Sequence, residues 1–169
     1  MMITRHVIRE FGKYALGAEH SNLISSIVPG VMAQTGMESL EIIRGVIRET
    51  EPDCIVAVDA LAARSVKRLN RTIQITNTGI NPGSGVGNHR HGLNRESVGI
   101  PVIAIGVPTV VDAATIVNDA ISGYYEEVDC TLNSFFVTPK DIDESIKRLS
   151  FTISEGLNLA FEKTACTNS

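Results

Sequence analysis

The chain has 169 residues, 43% apolar and 20% charged, ordinary globular usage at a length that suits one domain spanning 1–169. Its 15 basic and 19 acidic residues leave a net charge of −4, against the basic balance that advertises direct nucleic-acid binding. No apolar run approaches the roughly 20 residues that cross a bilayer. The start, Met1-Met2-Ile3-Thr4-Arg5-His6, has no secretion signal, so a cytoplasmic protein without a membrane partner is expected.

Along the chain, apolar residues of 3–16 fall on one helical stripe, and 25–28 is a short strand candidate stopped by Pro29-Gly30. Met37, Leu40, Ile43, Val46 and Ile47 restore helical spacing before Pro52. Residues 54–58 then read as a strand buried on both faces, with Asp59 at its carboxyl end and a helix over 60–68. Within this stretch Arg64, Lys67, Arg68 and Arg71 read as a solvated face. Cys54, Cys130 and Cys166 form no CxxC pair, which supports neither a zinc knuckle nor a disulfide framework. Cys54 is expected to be a buried thiol, and a reducing compartment fits.

Residues 72–76 alternate as a half-buried strand. The Gly- and Asn-rich segment 77–99 follows, a length without regular structure that tends to be functional. Residues 102–107 form a second buried strand closed by Pro108, and Asp112 caps the next helix, with Ala114, Val117, Ile121 and Tyr124 on its stripe. Phe135-Phe136-Val137 suggests an edge strand. Thr138-Pro139-Lys140-Asp141 marks the start of a last helix that turns Ile142, Ile146, Leu149, Ile153, Leu157 and Ala160 inward. Strands alternating with helices predict an α/β fold, with a mostly parallel sheet between helical layers. Chemistry is then sought beyond the carboxyl ends of the strands, at Asp59 and after Val107.

The cluster Gly79-Ile80-Asn81-Pro82-Gly83-Ser84-Gly85-Val86-Gly87-Asn88 lacks the Gly-Lys-Ser/Thr of a P-loop and the spacing and helix start of a dinucleotide site. So many glycines suit a loop that lets another backbone approach, such as an extended peptide. Gly83, Gly85, Gly87 and Asn88 are therefore taken as site-forming. Ser84 lacks the flanks of a nucleophile elbow. His89 and His91 flank Arg90; as metal ligands they would need a third donor from Asp59 or Asp112, and the solvated basic loop is the plainer reading. Asp59 is the sharpest residue, because a carboxylate ending an apolar strand gives up water contacts unless donors or cations compensate. It serves either as a cap for the following helix or as a general acid/base or metal ligand in the crevice. Arg64 is either a cation beside it or a surface residue, the second being preferred.

Four stretches together resemble the spore germination protease family, endopeptidases that degrade small acid-soluble spore proteins. They are Pro29-Gly30-Val31-Met32-Ala33-Gln34-Thr35-Gly36-Met37-Glu38, Val58-Asp59-Ala60-Leu61-Ala62-Ala63-Arg64-Ser65, residues 74–88 and residues 99–113. The resemblance implies an atypical aspartic peptidase with a three-layer αβα, hydrogenase-maturation-peptidase-like (phosphorylase/hydrolase-like) fold. It also implies zymogen processing, a homo-oligomer (tetrameric in the family), a place in the spore core and no cofactor. By resemblance Asp59 is one of two catalytic aspartates. The other belongs to a Thr-Pro-Asp-Ala-Leu-Gly-Pro segment that in the family precedes the counterpart of Thr4-Arg5-His6, and these 169 residues do not contain it. The chain thus resembles the carboxyl-terminal part of a longer family protein, inactive alone. A sheet missing its early strands is expected to associate through an unpaired edge.

Overall fold

The structure, a computed structural model, describes residues 24–30, 32–81, 91–121 and 135–162. Two compact units emerge, Pro29–Ile142 and a second formed by Met1–Val28 with Asp143–Ser169. The expected first helix and Tyr124 lie outside the described residues, and 24–30 has no regular structure.

The larger unit opens with a single turn, α1 (Met32–Thr35), and a longer helix, α2 (Ser39–Thr50). The Glu38 N–H donates to Glu41 Oε2 at 2.8 Å at the start of α2, satisfying a donor that the first turn leaves without a helical partner. The helix ends where Glu51 turns left-handed at φ 43° and its N–H bonds the Ile47 carbonyl. The apolar spacing seen in the sequence then has its partner: Leu40 is buried, and Ile43 packs with Ile55, Ala57, Ile80 and Val98 around Leu40, Leu93 and Val102.

Among the described residues four strands form one mixed sheet: β1 (Ile55–Ala63), β2 (Gln74–Thr76), β3 (Val102–Asp112) and β4 (Phe136–Val137). β3 pairs with all three others, parallel to β1 and antiparallel to β2 and β4. The sheet is therefore mixed rather than mostly parallel. The reason lies in the connection from β1 to β2, which holds only the 3-10 turn Val66–Arg68 and its flanks, shorter than the dozen or more residues of a parallel crossover. Between β2 and β3 lies α3 (Arg95–Val98), and after β3 comes α4 (Ala113–Ile121).

Three local expectations change. The stretch 60–63 continues β1 instead of starting a helix, because Ala60, Leu61, Ala62 and Ala63 pair with Val107, Pro108, Val110 and Val111; pairing overrides the helix preference of Ala and Leu. Likewise β3 runs through Pro108 to Asp112. The register slips between Leu61 and Ala62, leaving Thr109 unmatched, and a bulge is where a sheet tolerates proline. The carbonyls there are used: Pro108 accepts from the Asn70 N–H at 2.8 Å, and Thr109 accepts from Thr138 Oγ1 at 3.0 Å. Nor is β1 buried on both faces, since Val58 is 43% exposed, and Cys54 is an exposed thiol rather than a buried one.

In the smaller unit, α5 (Ile142–Glu162) begins with Asp143 and Glu144, matching the positive end of the helix dipole. Leu149, Ile153 and Leu157 are half-buried, whereas Ile146 and Ala160 are exposed and the fully buried positions are Ser145 and Ser154. The inward stripe is thus narrower than the spacing suggests.

Gly106 sits opposite Asp59 in the β1–β3 register. A Cβ there would lie 2.7 Å from Leu61 Cγ and would strike Cδ1 as well. Gly106→Ala is expected to destabilise the protein by about 1–3 kcal/mol, the range for overpacking. In urea melts the double variant with Leu61→Ala should lose less than the two single losses combined; strict additivity would show that Leu61 does not occupy this place.

Candidate functional site

Asp59 is the fifth residue of the nine-residue β1, not its last, so the expectation that it ends the strand and caps a helix is corrected. By the two-residue alternation of a strand it shares a face with Ile55 and Ala57, which pack on the Leu40–Leu93–Val102 cluster. Asp59, Gly106 and Gln74 form one row across β1, β3 and β2. The side chain is half-buried. Its Oδ1 accepts the Ala60 N–H at 2.9 Å, while Oδ2 is buried with no hydrogen-bond partner among the described residues. A buried polar atom without a partner is uncommon and calls for an explanation.

The other acids near strand ends are committed elsewhere. Asp112 Oδ1 accepts the Thr115 N–H at 2.7 Å and Oδ2 accepts Thr115 Oγ1 at 3.0 Å, which is the capping role read from the sequence. Asp119 was not singled out there; its Oδ2 accepts both Ser65 Oγ at 2.9 Å and the Val66 N–H at 2.8 Å, fixing the turn that follows β1. Asn70 was missed too. It takes a left-handed φ of 53°, a conformation Asn tolerates better than most residues, and both its side-chain polar atoms are buried without partners. The Leu-Asn-Arg turn between two strands was the only available signal. Arg64, Lys67, Arg68 and Arg71 are all exposed, as a solvated basic cluster should be.

Gly83, Gly85, Gly87, Asn88 and His89 lie outside the described residues, but the foot of their segment is defined. Ile80 and Leu93 exchange backbone hydrogen bonds of 2.9 and 2.7 Å. Gly79 stands beside them at φ +88°, where a Cβ would run into Asn94. This foot belongs to the cluster around Val102, at the amino ends of β1 and β3. Asp59 is four residues further along β1, about 13 Å at the usual strand rise. The described foot and the acid are thus at different levels of the sheet. His91 Nδ1 lies 2.9 Å from Glu38 Oε2, tying the returning chain to the start of α2. Among the described residues no group of three or more His, Cys, Asp and Glu side chains is placed to hold a metal ion. An open groove between α2 and α3 is lined by Glu38, Glu41, Arg44, His91 and Asn94. Arg44 there is spent on the Ser97 carbonyl, through Nε at 3.0 Å and Nη2 at 2.8 Å.

The two aspartates should part company in stability measurements. Asp112→Ala removes a cap and is expected to cost about 1 kcal/mol. Asp59→Asn keeps the acceptor for Ala60 and exchanges the unpartnered carboxylate oxygen for an uncharged amide nitrogen, so its denaturation midpoint should equal or exceed that of the parent. A larger loss at Asp59 than at Asp112 would make Asp59 a structural residue.

The germination protease family model matches residues 1–129. A germination protease of Caldanaerobacter subterraneus subsp. tengcongensis is 41% identical over 192 residues, covering 96% of this chain and 59% of the relative. One from Clostridium perfringens is 40% identical over 192 residues, 96% of this chain and 58% of the relative. A Bacillus velezensis germination protease is 54% identical over 121 residues, 72% of this chain and 32% of its own length. The chain therefore spans under two thirds of the length of these relatives. The 192-residue span also exceeds the 169 residues of the chain, so the Caldanaerobacter protein carries residues inside the matched region that have no counterpart here. With the match covering β3 and β1 with its acid, the chain belongs to the germination protease family.

Proposed function

We propose that this chain is the Asp59-bearing part of an endopeptidase that degrades small acid-soluble spore proteins during germination, by an atypical aspartic mechanism. The observation that carries the reading is the half-buried Asp59 carboxylate, with one oxygen on the neighbouring backbone N–H and the other without a partner. A structural acid would have both oxygens engaged, as Asp112 does. Aspartic chemistry needs two carboxylates close enough that both cannot ionise readily, so that one keeps a proton while the other activates water. Asp59 supplies one of them. The same reading gives the sheet a hydrogenase-maturation-peptidase-like, three-layer αβα architecture, and gives the protein zymogen processing, self-association and a place in the spore core.

A non-catalytic peptide-binding or assembly role for the same surface is the second reading. It is favoured by the commitment of Asp112 and Asp119 to caps, which leaves neither free to form a pair with Asp59. A metal-dependent peptidase would need the Nε2 of His91 to meet further ligands, and among the described residues no group of three or more His, Cys, Asp and Glu side chains converges.

The 169-residue polypeptide alone is expected to give little or no turnover of a purified small acid-soluble spore protein. Adding the portion of the Caldanaerobacter relative outside the matched span should raise turnover, and Asp59→Asn should abolish the gain. Strong turnover by the chain alone, lost in Asp59→Asn, would overturn the half-site reading. A gain that survives Asp59→Asn would remove Asp59 from the chemistry.

A further inference from the structure

Positive charge in this acidic chain is concentrated in the turn that joins β1 to β2. From Ala60 to Arg95 the sequence holds six lysines and arginines and no acid, whereas the remaining nine basic and 19 acidic residues put −10 elsewhere. Four of the six, Arg64, Lys67, Arg68 and Arg71, fall within eight residues and are exposed. Among the described residues none of these four side chains has an ion-pair or hydrogen-bond partner. Asp119, the acid that touches this turn, accepts from Ser65 Oγ and the Val66 N–H; it fixes the turn and leaves the cations unpaired. Like charges held this close repel, and acids interspersed among them are the ordinary remedy. Further strands or helices would not cover such a surface unless they brought acids, because burying unpaired cations is costly.

We infer that the turn 64–71 is an anchoring surface for an acidic segment of the polypeptide that the site acts on. The inference rests on the peptidase reading for its occupant and adds the charge of the segment held. β1 ends at Ala63, four residues beyond Asp59 and about 13 Å away at the usual strand rise, so an extended chain engaged at the acid reaches the turn within a few residues. The turn then leads into β2, whose Gln74 stands in the row of Asp59. Its base is fixed, since the Asn70 N–H donates to the Pro108 carbonyl of β3 at 2.8 Å. Three of the four cations are arginines, whose planar fork matches a carboxylate with two parallel hydrogen bonds. A nucleic acid is the less suitable occupant. A strand long enough to gain from releasing its counterions would also meet the negative charge of the rest of the chain, whereas a short acidic segment meets the turn alone.

The test uses the 169-residue chain and two fluorescein-labelled octapeptides, one alternating glutamate with alanine and one alternating glutamine with alanine, read by fluorescence anisotropy at low salt. Saturable binding of the glutamate peptide is expected, roughly tenfold or more tighter than that of the glutamine peptide. Arg68→Gln combined with Arg71→Gln should remove that preference, and Arg68→Lys combined with Arg71→Lys should keep most of it. Should the glutamine variant not fold, carbodiimide cross-linking of the parent decides: the peptide carboxylates should be joined to Lys67. Equal binding of the two peptides, a preference unchanged in the folded glutamine variant, or cross-links that spare Lys67 overturns the inference. So does an oligothymidylate of equal charge that binds the parent more tightly than the glutamate peptide and is lost in the glutamine variant, because the turn then serves a nucleic acid. A parent that binds neither peptide but sediments as a dimer, dissociated by the glutamine variant, overturns it in favour of a second copy. Anchoring is thus judged on binding by the chain alone, and the peptidase reading on turnover.

Discussion

The parallel pairing of β1 with β3 is the constraint on which the site depends. Its register sets Asp59 against Gly106 and Leu61 against Pro108. Where Gly106 has no side chain, Leu61 fills the place, and any larger residue would have to displace it. The acid is held in mid-strand by this arrangement and not by a helix beneath it. Because the strand continues beyond it to Ala63, with the bulge at Thr109 absorbing one residue of β3, ladder hydrogen bonds to β3 hold the backbone before and after Asp59. A carboxylate mounted this way has little freedom beyond its own side-chain torsions, which suits a group whose work depends on position.

Much of this was legible from the residues, and the failures share a cause. The amphipathic spacing of α2, the cap formed by Asp112, the edge strand at Phe136–Val137 and the solvated basic cluster all depend on neighbours in sequence, and each is found. Strand length is different. Ala60-Leu61-Ala62-Ala63 is a good helical tetrapeptide, and Pro108 is a conventional strand terminator, yet both sit within strands because each is the other's partner across the sheet. No local rule contains that information. The same holds for strand direction: β2 comes back antiparallel because its connection is short, and the turn at Asn70 secures it through the Pro108 carbonyl. The exposure of Cys54 and Val58 was likewise illegible, since an apolar run does not state which of its faces finds cover.

The relation between Asp59 and the glycine-rich segment also differs from the simple α/β pattern. In open α/β sheets ligands gather beyond the carboxyl ends of the strands. Here the foot of the glycine segment is bridged by Ile80 and Leu93 beside Val102, at the opposite end of the β1–β3 pair. His91 anchors the returning chain to Glu38 rather than to any acid of the sheet. The groove between α2 and α3 likewise excludes Asp59 from its lining.

Its unpartnered oxygen is what sets the Asp59 carboxylate apart. An unpartnered buried oxygen costs about 1–3 kcal/mol relative to one that is satisfied, a sizeable share of the stability of a small protein. Nothing in β1 requires the expense, for its neighbours Ala57 and Ala60 show that small apolar residues fit the strand. Stability accounts less well for Asp59 than for Asp112, whose two oxygens both accept hydrogen bonds from Thr115, or for Asp119, which accepts from Ser65 and Val66. An acid positioned by one oxygen on the Ala60 N–H, while the other meets no donor among the described residues, is the arrangement that the proposed two-carboxylate chemistry asks of it.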